Sequence, residues 1–278
     1  MARPSAARPC DSTDGVGSGA SPPVVAMRSL GMRWGSRLVL DDIDLTLHPG
    51  ERLAVVGPSG AGKSTILRIL AGLILPSSGE LELFGAPQRY LRLDQRHPPD
   101  VRLVFQSPAL LASLTVQENV GFLLYRQGRI PASEIRERVA RALAAVGLSG
   151  IESLLPSELS GGMQKRVSFA RALIDDPARP DGQQPLLLFD EPTAGLDPVA
   201  STRIEDLIVT TTQVACGCSV VVSHVISTIE RAAERVVLLY DGRFRWTGSV
   251  EDFRCSDNAY VRQFRSGSLD GPMQPAEL

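Results

Sequence analysis

The sequence holds no apolar run approaching the roughly 18 residues that a membrane span needs. Its longest apolar stretches, such as Leu186–Phe189 and Val236–Tyr240, are strand length and read as buried strands of a parallel sheet. If this chain serves a membrane, it must do so by docking to something else. Excess charge is also missing. A formal net charge of −2 argues against a surface built to grip a nucleic-acid backbone, and no nucleic-acid partner is expected. Cysteine is scarce and scattered: Cys10, Cys216, Cys218 and Cys255 include one C-x-C with no second pair, which argues against a metal site and fits a reducing compartment. The first 23 residues, rich in Ser, Ala, Gly and Pro, lack the apolar core of a secretory signal. Arg3, Arg8 and the serines have some transit-peptide character, but Asp11 and Asp14 oppose it, so residues 1–23 are expected to be a disordered leader.

What remains is an ordinary globular composition in 278 residues, enough for one large α/β domain or two modest ones. Asp42-Ile43-Asp44-Leu45-Thr46-Leu47 alternates as a half-exposed strand does. Pro49-Gly50 marks a turn, Leu53–Val56 a buried strand, and Ile66–Leu73 a helix. Leu81 and Leu83, flanked by Glu80 and Glu82, read as a short hairpin. From about Gln106 to Leu173 the pattern turns helical. There Ser133 is placed to cap a helix with Ile135, Val139, Leu143 and Val146 on one face, and Gly147 to stop it. A βαβ rhythm then returns: strand to Phe189, helix through Ile204, Leu207 and Ile208, strand Ser219–Ser223, helix through Ile229, strand Val236–Tyr240. Asp241-Gly242 turns the last into Phe244–Trp246.

One stretch carries phosphate chemistry. Gly57, Pro58, Ser59, Gly60, Ala61, Gly62, Lys63, Ser64 and Thr65 fit G-x-x-x-x-G-K-[ST], between a buried strand and a helix. Glycines let successive N–H groups curl round a β-phosphate, Lys63 can reach the β- and γ-phosphates, and the Ser64 hydroxyl can ligate Mg²⁺. Leu186–Phe189 then delivers Asp190 and Glu191 to a strand end, Asp190 to hold Mg²⁺ and Glu191 to polarise the attacking water. Gln106, after the apolar strand Val101–Phe105, is a candidate to complete the metal shell, and His224, after Ser219–Ser223, a candidate γ-phosphate contact.

A second anion site is a puzzle in so small a chain. Leu159-Ser160-Gly161-Gly162-Met163 opens a helix with small residues and free N–H groups. Taken with Gly57–Thr65, Gln106, Leu186–Glu191, Ala194-Gly195-Leu196-Asp197 and His224, in that order, it resembles the ATP-binding subunit of an ABC transporter from Val24 onward. That resemblance implies a P-loop NTPase core (RecA-like, α/β) with an antiparallel β subdomain, a helical subdomain at about 106–173 and a C-terminal tail at about 249–278. It also implies ATP and Mg²⁺ as cofactors, with two copies paired head to tail. Ser160, Gly161 and Gly162 of one copy then close over ATP held by the other. In the same pattern Met163, Val167, Ala170 and Leu173 anchor the signature helix, Asp197 communicates across the dimer, and Trp34 stacks on adenine where tyrosine is usual.

Finer features point to one subgroup. Met163, Lys165 and Arg166 follow the glycines, Ala194-Gly195 follows Thr193, and the tail runs Tyr260-Val261-Arg262-Gln263-Phe264, then Gly267–Pro272. These are similar to lipid-transport cassettes that work with mammalian-cell-entry (MCE) type lipid-binding proteins, in bacterial lipid-asymmetry systems and the chloroplast and cyanobacterial envelope importer. Ser223–Ile229, Leu238–Arg243 and the long loop Asp176–Pro185 match the latter branch. The implied partners are a second copy, a transmembrane permease and an MCE protein. The implied location is the inner face of the plasma membrane, or the stromal side of the plastid inner envelope. An importer motor for amino acids or metal ions is the alternative, with the tail against it. Non-transport ABC ATPases usually fuse two cassettes or insert a long coiled coil, and this chain does neither.

Overall fold

The computed structural model describes residues 22–174, 184–215 and 217–274. Most of the expected leader and of the Asp176–Pro185 loop, together with Cys10 and Cys216, lie outside the described residues.

The chain opens with β1 (Val25–Trp34) and β2 (Arg37–Leu47), and the alternation seen in the sequence holds: Ile43, Leu45 and Leu47 are buried while Asp42, Asp44 and Thr46 are exposed. After the Pro49-Gly50 turn come β3 (Arg52–Val56), α1 (Lys63–Leu70), β4 (Ser78–Leu83) and the two-residue β5 (Ala86–Pro87). The first helix begins at Lys63, three residues earlier than its apolar pattern, because the glycine loop turns straight into helix with Gly62 as N-cap. Next are β6 (Val101–Val104), α2 (Val116–Val120), α3 (Phe122–Gln127), α4 (Ala132–Ala145) and α5 (Gly161–Leu173). Ile135, Val139, Leu143 and Val146 are buried as expected. Ser133 is not the cap: Pro131 takes that position, with fixed φ of −62°, and pushes Ser133 into the first turn with no capping bond.

The chain ends with β7 (Leu186–Asp190), α6 (Pro198–Val214), β8 (Cys218–Val222), α7 (Ile226–Ala232), β9 (Arg235–Tyr240), β10 (Arg243–Ser249), α8 (Val250–Cys255) and α9 (Ala259–Ser266).

Two sheets result. One is antiparallel, in the order β2-β1-β4-β5; the other runs β10-β9-β3-β8-β7-β6, with only β10 antiparallel to its neighbour. The central strands carry continuous apolar runs, Leu53–Val56, Leu186–Phe189, Val220–Val222 and Val236–Leu239, because both faces are covered. Leu186 and Leu188 of β7 join α1 and the antiparallel sheet in one cluster, while Leu187 and Phe189 face α2, α4, α5 and α6 in another. Phe189 stacks on Phe169 of α5 with centroids 5.3 Å apart, tying the acidic strand to that helix. A third cluster joins β9 to Val250, Phe253, Val261 and Met273 of the tail. Among the described residues, no helix is long and apolar enough to cross a membrane. Cys218 is buried, and burial pushes its thiol up to about 12, which keeps it protonated and inert.

Candidate active site

The parallel order of β3, β8 and β7 brings three strand ends together: β3 delivers the glycine loop, β7 the acids and β8 His224. Gly57 is required there because a Cβ would stand 2.1 Å from the Leu239 carbonyl oxygen on neighbouring β9. Lys63 is 8% exposed, and its ammonium donates to the Gly57 and Pro58 carbonyls at 2.8 and 2.9 Å, bending the loop round its own cation. Burial lowers the Lys63 pKa, and the facing carboxylates of Glu191 and Asp190 oppose that shift.

The Ser64 hydroxyl donates to Asp190 Oδ1 at 3.1 Å, so the helix start and the acidic strand already share one corner. Burial raises the Asp190 carboxyl above its ordinary range. The Ser64 bond works against that, the Glu191 charge adds to it, and Arg68 and Lys63 pull it back. Hydroxyl and carboxylate oxygens this close are the hard donors that suit Mg²⁺, which fills its remaining positions with water and phosphate oxygen.

Glu191 follows in the left-handed region, at φ 44°, a costly conformation for a non-glycine residue. Its Oε2 lies 2.9 Å from His224 Nδ1. Gln106 and Trp34 stand further out. β6 ends at Val104, so Phe105 and Gln106 are exposed loop rather than strand, and Gln106 makes no side-chain hydrogen bond among the described residues. Trp34, half exposed, ends β1 opposite Arg37, and Arg37 lines a pocket with Pro58, Ser59, Gly60 and Ala61.

The helix start at Ser160 forms where the sequence indicates, apart from the glycine loop. Ser160 caps α5, its hydroxyl accepting from Met163 N at 3.3 Å. Beyond their chain neighbours and the helix's own backbone, no atom lies within 4 Å of where a Cβ would sit on Gly161 or Gly162, so that helix start is open. Met163, Val167, Ala170 and Leu173 pack inward. Asp197 caps α6 with bonds from Val199 N and Ala200 N at 2.9 and 3.0 Å, and shares a surface pocket with Ser160 and Gly162. Among the described residues no hydrogen bond joins Ser160–Gly162 to Gly57–Thr65.

Over residues 40–194 the chain matches the ABC transporter family. The chain belongs to that family. It is 46% identical over 261 residues to the protein TRIGALACTOSYLDIACYLGLYCEROL 3, chloroplastic, of Arabidopsis thaliana, covering 90% of this chain and 76% of that one. It is 34% identical over 255 residues to the intermembrane phospholipid transport system ATP-binding protein MlaF of Haemophilus influenzae, covering 90% of this chain and 93% of that one. Among solved structures, the ATP-binding cassette MJ0796, a dimer in a post-hydrolysis state bound to ADP and Pi, superposes with a TM-score of 0.70 at 29% identity, covering 81% of this chain and 98% of that one. This chain is thus an ABC cassette, an ATP-hydrolysing motor subunit.

Other residues around the cassette's site left no clear trace in the sequence. Lys165, Thr193, Glu205 and Thr228 are buried polar groups beneath the Glu191 loop. Lys165, Thr193 and Thr228 fall in stretches that carry the subgroup resemblance but with no role attached to them, and Glu205 lies in no motif.

Proposed function

We propose that this cassette binds MgATP and pairs head to tail with a second copy across it. Hydrolysis then drives a separate permease that moves lipid with an MCE-type lipid-binding protein. One observation carries the reading. The chain has one anion cradle complete with acids and a histidine, and a second, open helix start at Ser160 with no catalytic group bonded to it. A second copy supplies what each lacks. The dimeric MJ0796 cassette supports the pairing, and the names of the Arabidopsis and Haemophilus relatives support lipid as cargo.

In this reading Lys63 exchanges its loop carbonyls for β- and γ-phosphate oxygens. Ser64 and Asp190 would hold Mg²⁺, with Gln106 as a further ligand, and the ion's charge would offset that of the phosphates. Glu191 polarises the attacking water, His224 contacts the γ-phosphate and fixes Glu191, Trp34 stacks on adenine, and Asp197 reaches across the dimer. The permease docks beside the helical region (about 106–173) near Phe105–Leu114. A neighbouring cleft of about 750 Å³, edged by Phe122, Leu123, Arg96 and Arg129, is tied to that stretch by Arg171, which lines it and donates to the Pro108 and Ala109 carbonyls. The cassette therefore sits peripherally on the inner face of the plasma membrane, or on the stromal side of the inner envelope in a plastid.

Ser160→Arg tests the pairing. Hydrolysis by the full chain should be abolished while nucleotide binding to the monomer is kept. Loss of monomer binding would mean that the signature serves its own chain's nucleotide.

A further inference from the structure

Beneath the Glu191 loop lies a buried polar cluster that no step above uses. Lys165 of α5 is 8% exposed, and its ammonium donates to the Pro192 carbonyl at 3.0 Å and the Ala194 carbonyl at 2.7 Å. Between those carbonyls sits Thr193, buried, with its hydroxyl 3.0 Å from that of Thr228 on α7. Thr228 donates to Oε1 of Glu205 at 2.9 Å, Ser227 donates to the same oxygen at 2.8 Å, and Arg231 Nε lies 3.4 Å from Oε2. An ionised carboxylate only accepts. The single Thr228 proton is therefore committed to Glu205, and Thr193 must donate to Thr228. The chain of donors runs one way, from the loop into α6.

Such a cluster is a poor device for stability alone. An ammonium and a carboxylate taken out of water lose hydration, and apolar side chains of equal volume would often hold these helices as well. What the cluster fixes is a position. Pro192–Ala194 directly follows Glu191, whose left-handed backbone needs support from its surroundings. Glu191 in turn holds His224, two residues before α7. One side of the loop is pinned to α5, the helix that begins at Ser160; the other is pinned to α6 and α7.

We propose that Lys165 and the Thr193–Thr228–Glu205 chain are positioning residues that join the Ser160 helix start, the Glu191 loop and the His224 corner into one body. When Ser160 closes on the partner's nucleotide, Glu191 and His224 are set over the chain's own, and the two composite sites become competent together. This rests on the head-to-tail pairing proposed above.

Steady-state ATP hydrolysis by the full chain tests it. Lys165→Met keeps the apolar stem and removes the ammonium. It should lower kcat about tenfold or more and leave KM for ATP within about threefold, because no nucleotide contact is lost. Lys165→Arg, which offers donors to the same carbonyls, should recover most of that loss. Thr228→Val removes the opposite tie without touching charge and should give the same split even if Lys165→Met fails to fold. The double variant should fall little below the worse single one, since both ties hold one loop. Wild-type kcat in folded Lys165→Met or Thr228→Val overturns the proposal, as do losses that multiply in the double variant or a Lys165→Arg protein no better than Lys165→Met. The pairing is judged separately. If Ser160→Arg hydrolyses ATP normally, head-to-tail pairing fails whatever Lys165 does, whereas an inert Ser160→Arg beside a fully active Lys165→Met overturns only the positioning role.

Discussion

Nδ1 of His224 lies 2.9 Å from Oε2 of Glu191, and the His224 backbone N–H points to the same oxygen at 3.4 Å. One carboxylate oxygen is thereby held, and among the described residues the other makes no hydrogen bond. Glu191→Gln keeps the shape and the backbone turn but removes the anion that would polarise a nucleophile. Hydrolysis should fall by about 10²–10⁴-fold while ATP binding persists, so that a long-lived nucleotide-loaded dimer accumulates. A phosphate-release assay paired with light scattering checks both halves. Hydrolysis at the normal rate would remove Glu191 from the role of base.

Asp190 makes a prediction whose sign depends on pH. Burial raises its carboxyl, so the fold favours the protonated form. That contribution to stability is fully present below the ordinary carboxylate range and disappears as pH rises through the raised value. At neutral pH the ionised group is therefore held at a cost that a bound cation relieves. Asp190→Asn retains an acceptor for the Ser64 hydroxyl. In buffer with chelator it should melt at a higher temperature than the wild type at neutral pH, with the difference closing as pH falls. It should also lose Mg²⁺-dependent hydrolysis. Thermal melts across pH, with and without Mg²⁺, measure this.

The central strands, and the meeting of the glycine loop with the acidic strand end, were legible because each rests on a local pattern. Leu186–Phe189 is too apolar for a surface strand, and Asp190-Glu191 at its end has little other use beside Gly57–Thr65. The Ser133 cap was misread because a local preference lost to Pro131, whose ring fixes φ at the N-cap so that the helix starts at Ala132. Lys165, Thr193, Glu205 and Thr228 were illegible for a different reason. Their partners lie 23 to 35 residues away in three of the bonds concerned, and no periodicity records which hydroxyl meets which carboxylate. Gln106 remained undetermined because it lies on an exposed loop, where the surroundings dictate little.

Trp34 ends β1 half exposed, beside the pocket that Arg37 shares with the glycine loop. If it stacks on adenine, Trp34→Tyr should bind ATP nearly as well as the wild type. Trp34→Ala should forfeit about 0.5–1.5 kcal/mol, roughly a two- to thirteenfold weaker affinity. The other tryptophan, Trp246, packs against Phe253 of the tail, 5.7 Å between ring centroids. A Trp246→Phe protein therefore reports on Trp34 alone, and ATP should change its fluorescence. Unchanged fluorescence at saturating ATP would place the base elsewhere.

Gln263 of α9 fastens the end of the described chain. Its Nε2 donates to the Met273 and Ser268 carbonyls at 2.8 and 3.3 Å, and its Oε1 accepts from Met273 N at 2.7 Å. Beyond that clasp, Gln274 N donates to the Tyr240 hydroxyl at 3.0 Å, and both residues line the pocket beside Pro58–Ala61. Gln263→Leu fills similar space but leaves buried backbone groups without partners, at about 1–3 kcal/mol each. That loss is enough to favour a released segment from about 268 onward over a strained docked one. Limited proteolysis should then cut after α9 in the variant and spare the wild type. The β-sheet core should melt almost unchanged, because Phe253 and Val261 keep the third cluster closed without Met273. Equal protease resistance in both proteins would show that apolar contact by Met273, not the glutamine clasp, holds this segment down.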